Sequence, residues 1–183
     1  MFPNKLCYGR FSHLSDELNK KPVAVSLIKG GADHPLIKGV ACIYETMHGT
    51  LVAVEVSGLP SSTDKCKSPV FAFHIHSGGK CTGNSNDEFA DTLTHYNPDN
   101  CPHPFHSGDL PPIFSSNGYT LTAFVTNRFT PQEVIGKTFI IHSSTDDFHT
   151  QPSGNSGIKI ACGEIMACWQ NPFWFKGQRG FLL

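Results

Sequence analysis

Apolar and polar residues alternate along three stretches of the chain, PVAVSLIK (Pro22 to Lys29), GTLVAVEVSGLP (Gly49 to Pro60) and YTLTAFVT (Tyr119 to Thr126). A period of two sends successive side chains to opposite faces of an extended strand, so Val52, Val54 and Val56 share one face and each stretch reads as a half-buried strand. Between the first two, ACIYETM (Ala41 to Met47) is a further strand candidate, and His48-Gly49 is a tight turn into the next. The opening of the chain is therefore predicted to be an antiparallel meander.

After Val70-Phe71-Ala72-Phe73-His74-Ile75-His76 the periodicity disappears for some thirty residues rich in Gly, Asn, Asp, Pro and His, a length that in a compact domain marks either a functional loop or a disordered one. Strand signals resume at Ile113-Phe114, followed by Asn117-Gly118, a strong hairpin-turn dipeptide, and then by the third alternating stretch. KTFIIH (Lys137 to His142), a second polar loop from Ser143 to Gly157, and IKIACGEIMAC (Ile158 to Cys168) complete the pattern. Seven or eight strands with almost no helix predict an all-β antiparallel sandwich or barrel. The expected organisation is one domain over residues 1–183, with the barrel at about 20–168 and an aromatic tail at 169–183.

Composition narrows the partners. Charged residues make up 16% of the 183 and the formal net charge is -1, which excludes a basic surface for nucleic acid and favours a small or neutral partner. The first 22 residues lack the apolar core of a secretory signal and no run of ~18 apolar residues could span a bilayer, so the expectation is a soluble, cytoplasmic chain with no membrane partner. Seven cysteines leave at least one thiol without an intrachain partner, and no CxxC pair suggests a zinc ribbon or thioredoxin-type motif. Of ten histidines, five fall between His74 and His106.

Those histidines carry the candidate chemistry. His74 and His76 lie two apart on a strand, so their rings leave the same face side by side; this suits chelation of one ion, and it equally suits a polar, solvated strand face. The loop beyond holds His95, His103, His106 and Asp109, three imidazoles and a carboxylate, which is a complete tetrahedral set for a structural zinc; a hydrophilic loop with turn-capping histidines would look similar. Pro98, Pro102 and Pro104 bar a helix there, so these side chains must converge by turns. His142 ends an apolar strand, with Asp146 and Asp147 four and five residues on. His74, His76, His142 and one loop histidine make an imidazole-rich set of the kind copper favours.

The segments FAFHIH, THYNP, HSGDLP, FIIHSSTDD and SGNSGIKIACGEI, in that order between Val70 and Ile165, resemble the signature segments of copper/zinc superoxide dismutases, and GLP at Gly58 to Pro60 fits that family's opening meander. The resemblance implies an eight-stranded Greek-key β-barrel with two long functional loops. It implies an antioxidant oxidoreductase that disproportionates superoxide to dioxygen and hydrogen peroxide through Cu(II)/Cu(I) cycling. It assigns copper to His74, His76, His95 and His142, and zinc to His95, His103, His106 and Asp109, with His95 bridging and carrying a catalytic proton. Asp146 matches a carboxylate that joins a copper ligand to a zinc ligand. Cys81 and Cys162 match the pair that forms an intrasubunit disulfide, a pairing that spacing alone could not choose among seven cysteines.

Two features depart from the family pattern. Lys159 stands where the family has an arginine above the copper; a lysine keeps the charge that attracts a small anion but lacks the planar fork that docks it. His103 and His106 are closer in sequence than their counterparts, and the loop from Ser143 to Gly157 is shorter, with neither lysine nor glutamate to steer an anion. Superoxide is thus the expected partner and copper and zinc the expected cofactors. Alternatives are a copper-only dismutase, or a non-catalytic copper-binding or delivery domain on the same fold. A homodimer is carried as an expected assembly, although the residues themselves do not set it.

Overall fold

The computed structural model describes residues 16–64, 66 and 69–168; the expected tail at 169–183 lies outside the described residues. Nine strands are defined among them: β1 (Ala24–Gly30), β2 (Lys38–Thr46), β3 (Gly49–Ser57), β4 (Val70–Phe71), β5 (Phe73–His76), β6 (Ile113–Phe114), β7 (Tyr119–Thr126), β8 (Thr138–His142) and β9 (Lys159–Ala167). A short helical turn, α1 (Pro131–Val134), starts at a capping box in which the Glu133 carboxylate accepts the Thr130 N–H at 2.6 Å.

Seven strands form one antiparallel sheet in the order β5-β8-β9-β1-β2-β3-β7. Strands β1 to β3 follow one another and β9 returns beside β1, which is the spatial order of a Greek key. The sheet curls because strands from both its ends bury side chains in one cluster: Val52, Val54 and Val56 from β3, Phe73 and Ile75 from β5, Phe139 and Ile141 from β8, with Phe124 of β7 packed against them. Phe73 and Phe139 stack with ring centroids 5.0 Å apart, and truncating either to alanine would cost about 3–5 kcal/mol.

All three alternating stretches form strands, β1, β3 and β7, with burial on one face only along β7, and the two predicted turns fall in place: His48 precedes Gly49 at the head of β3, and Asn117-Gly118, both at positive φ, reverse the chain between Ser116 and Tyr119. Two details differ from expectation. Strand β3 is buried on both faces, because Leu51 and Ala53 join Val25, Cys42 and Tyr44 in a second cluster on the other side of the sheet. The run from Val70 to His76, read as one strand, changes partner at Ala72: β4 pairs with β6, whereas β5 pairs with β8. The strand count is therefore nine where eight were expected.

That change of partner positions the site. In β5 the core takes Phe73 and Ile75, so His74 and His76 face the opposite side of the sheet, and in β8 the core takes Phe139 and Ile141, so His142 does the same. The free edge of β5 is covered by the long loop, through Ile75 N–H to Gly108 O at 2.9 Å and Tyr96 N–H to Ile75 O at 2.8 Å. Gly108 is required there, since a Cβ would collide with the Ile75 carbonyl. The three strand histidines are thereby buried under the loop instead of being solvated.

Candidate metal centre

Two buried donor sets share one residue. The first is His74, His76, His95 and His142, and the second is His95, His103, His106 and Asp109; within each, donor atoms lie within 4.8 Å of one another. Strands β5 and β8 supply three members of the first set. The loop supplies His95 and the whole second set, with its backbone bridged to β5 at His74–Asp109 and His76–His95. The short spacing of His103 and His106 does not separate them, since a turn brings their rings to 5.5 Å.

Each strand histidine is oriented from behind. The Nε2–H of His74 donates to Asp146 Oδ2 at 2.8 Å, the Nδ1–H of His76 to the Leu93 carbonyl at 2.9 Å, and the Nδ1–H of His142 to the Gly157 carbonyl at 3.3 Å. Because a neutral imidazole carries one proton, these bonds leave lone pairs on His74 Nδ1, His76 Nε2 and His142 Nε2, all directed inward. His76 Nε2 and His142 Nε2 consequently face each other at 3.3 Å, and His74 Nδ1 and His95 Nε2 are buried with no hydrogen-bond partner. Electron pairs that converge with no proton between them call for a cation, and four imidazole nitrogens suit copper.

The second set has the same logic with a carboxylate added. His95 Nδ1 lies 2.8 Å from Asp109 Oδ1 and 3.3 Å from His106 Nδ1, and His103 Nδ1 lies 3.1 Å from Asp109 Oδ2. The Nε2–H of His103 donates to Asp146 Oδ1 at 2.9 Å, which leaves its Nδ1 as another inward, unsatisfied donor. Three imidazoles and one carboxylate, all buried, fit a closed zinc site. His95 thus presents Nε2 to one set and Nδ1 to the other, and Asp146 ties His74 to His103 from outside. Gly154, at φ +67, leaves the space that Asp146 and His103 occupy.

Burial sets the protonation states. It lowers the pKa of His74, pushes His76 well below its ordinary value and takes His142 down to about 3, the neighbouring imidazoles adding to the effect. His106 is lowered as well, chiefly by burial. For Asp146, burial works toward a higher value, but hydrogen bonds from His74, the Phe148 N–H and His103 outweigh it and hold the carboxyl well below the usual carboxylate range. Asp109 is lowered against its burial by His95 and the other imidazoles. His74, His76, His106 and His142 are therefore neutral and Asp109 and Asp146 ionised near pH 7, the forms that bind metal.

The first set opens on a cavity of about 880 Å³ whose walls include His76, His95, His142, Asp87 and Lys159. Lys159 lines this mouth and is engaged there: its Nζ donates to Asp87 Oδ2 at 2.7 Å and to the Phe89 carbonyl at 3.0 Å. A bulge in the β8–β9 ladder between Ile141 and His142 turns His142 opposite Lys159. Cys81 and Cys162 form a disulfide that fastens the long loop to β9, while Cys42, Cys66, Cys101 and Cys168 are thiols.

Besides the carbonyls of Leu93 and Gly157, sequence reasoning missed two side chains. Asp87 was one acid among many in a polar loop. Arg128, the one arginine among the described residues, donates from Nη1 to the carbonyls of Pro104 at 3.0 Å, His106 at 3.2 Å and Asp109 at 3.0 Å, and so clamps the loop that carries the second set. Its isolation in an otherwise arginine-free barrel was the available signal.

Comparison with known proteins agrees with this geometry. Residues 37–165 match the family model of copper/zinc superoxide dismutases. A Cu-Zn superoxide dismutase of Aquifex aeolicus is 32% identical over 142 residues, covering 69% of this chain and 78% of its own. That of Deinococcus radiodurans is 32% identical over 149 residues, covering 72% and 78%. Among solved structures, a SOD-like protein from Bacillus subtilis superposes with a TM-score of 0.63 at 25% identity, covering 76% of this chain and 96% of that one.

Proposed function

The chain belongs to the copper/zinc superoxide dismutase family, and on that premise we propose that it disproportionates superoxide, with copper held by His74, His76, His95 and His142 and zinc by His95, His103, His106 and Asp109. The observation that carries the proposal is the convergence of two buried donor sets on one ring, His95. Bound copper would supply the one-electron couple for this reaction, in which one superoxide is oxidised to dioxygen and another, with two protons, is reduced to hydrogen peroxide.

The chain's own residues prepare that chemistry. Leu93 O, Gly157 O and Asp146 fix the rings of His76, His142 and His74, so that little reorganisation accompanies a change of charge at the centre. His95 Nε2, buried and without a partner, is the atom able to hold a proton between the two half-reactions, while Asp109 and His106 keep the ring in place through its Nδ1 side. The cavity leaves edges of His76, His95 and His142 accessible to a two-atom anion, whereas the second set, apart from His95 and His106, is closed off from it.

A second reading, a copper-binding domain without turnover, draws on one observation: the lysine at the mouth is already paired with Asp87. Superoxide disproportionation by the copper- and zinc-reconstituted protein, measured beside its metal-free form with bound metals counted, separates the two. The proposal expects copper-dependent turnover and about one copper and one zinc per chain. Stoichiometric copper with no turnover above a protein-free copper blank would favour the second reading, and copper without zinc would favour a copper-only enzyme.

A further inference from the structure

Resting on that reading of the site, we propose that Asp87 governs anion entry, by holding Lys159 against the cavity wall so that its charge is not offered to the ligand. The contact is more than a loose surface pair. The lysine side chain is only 14% exposed, and two of its three donors are taken, by Asp87 Oδ2 and the Phe89 carbonyl. Asp87 is itself held in position: its other oxygen accepts the Phe89 N–H at 2.9 Å, and its own N–H donates to Asn84 Oδ1 at 3.2 Å. The segment carrying it is fastened at one end by the Cys81–Cys162 disulfide, which joins β9 three residues past Lys159. At the other side the Glu88 carboxylate accepts the Ala32 N–H. The tether is thus built into the docking of the loop on β9.

The rest of the mouth reinforces the effect. Among the described residues the cavity wall carries three carboxylates, Asp33, Asp87 and Glu88, against one ammonium, Lys159. These side chains by themselves sum to a net negative charge, which opposes the attraction a bound metal would exert on an anion and which salt of physiological strength screens beyond roughly 8 Å. Anion entry in this protein is therefore predicted to be hindered at low salt and relieved by added salt, the reverse of a cavity built to draw anions in.

The test uses the copper-loaded protein and azide as the probe anion, titrated by the visible absorption of the copper. Asp87→Asn removes one negative charge and releases Lys159, and is expected to tighten azide binding about fivefold. Asp33→Asn removes the same charge but leaves the tether, and is expected to give less than half of that gain. Adding Lys159→Met to Asp87→Asn is expected to abolish the gain. Asp87→Ser, which keeps an acceptor for the Phe89 N–H, repeats the test if the asparagine variant disturbs the loop. Turnover of the wild type should rise with sodium chloride, and that of Asp87→Asn, whose wall keeps two carboxylates against one ammonium, should rise less. Unchanged azide affinity in both Asp87 variants, or an Asp33→Asn gain equal to that of Asp87→Asn, would overturn the role of Asp87. Azide binding does not depend on turnover, so an inactive wild type with a tighter-binding Asp87→Asn would sink the enzymatic reading alone.

Discussion

The two donor sets contrast in how their ligands are held. His74, His76 and His142 stand on β5 and β8, whose ladder pairs His74 with Ile140 and His76 with Thr138, so the register that buries Phe73, Ile75, Phe139 and Ile141 also aims the histidines. His103, His106 and Asp109 stand on a loop with no ladder of its own. Their placement is borrowed, from Asp146 behind His103, from the Gln151 side chain bonded to the His103 backbone, and from Arg128 on three carbonyls. A strand-borne set inherits its precision from the core, whereas a loop-borne set has to acquire it from side chains.

The largest break in this comparison comes from removing a strand ligand. His142→Ala should lower copper affinity by about a hundredfold or more and bring turnover to the level of the metal-free protein, without loss of the zinc-type set, as read by competitive metal titration. Retained copper affinity would remove His142 from the first set. Next comes Asp146→Asn, which disturbs both sets at once. It should weaken zinc binding by about 10–100-fold and copper binding less, because His74 keeps its strand while His103 loses its orienting carboxylate. Equal losses for both metals would contradict the difference drawn between strand and loop.

Arg128→Ala should be narrower still, weakening zinc about tenfold and leaving copper affinity within error, with cobalt in the second set as an optical reporter of distorted geometry. Lysine at the same position, carrying a charge but a single donor group, should restore part of the loss. A cobalt spectrum identical to wild type would reduce Arg128 to a surface contact.

Acid should sharpen the contrast in the metal-free protein. Burial holds His142 at about 3 and His76 well below its ordinary value, so below pH 6.5 the unfolded chain takes up protons that the folded chain refuses. Stability contributed by these rings is complete above about pH 6.5 and is lost as the pH falls toward their folded values, by about 1.4 kcal/mol per unit for each ring. Asp146 and Asp109, lowered in the fold, add a loss of the same sign below about pH 4. The Tm of the metal-free protein should fall between pH 7 and 5, and replacing His76 or His142 with glutamine should flatten that dependence. A Tm unmoved over the same range would contradict neutral, buried strand histidines.

Much of this site was legible from the chain because its strand half obeys a period of two: FHIH places two rings on one face, and an apolar run ending in histidine places a third. The loop half was not derivable that way. The donor types of His95, His103, His106 and Asp109 suggested zinc, but their convergence depends on turns, and it was the resemblance to a family that joined the two sets through His95. The residues that escaped notice act through partners that residue type does not advertise. Arg128 binds main-chain carbonyls, Leu93 and Gly157 act through theirs, and Asp87 meets a lysine 72 positions away. The division of Val70 to His76 was equally hidden, since the alternation is continuous and only the partner strands change.

The claim on which the account turns is that His95 joins two metal sites through one ring. Electron paramagnetic resonance of the protein carrying copper(II) in the first set and cobalt(II) in the second tests it directly. The account predicts that the copper signal is lost through magnetic coupling across the shared imidazole, and that it returns when zinc replaces cobalt. A copper signal of undiminished intensity beside bound cobalt would mean that the two sets are separate sites, and the joined centre would have to be abandoned.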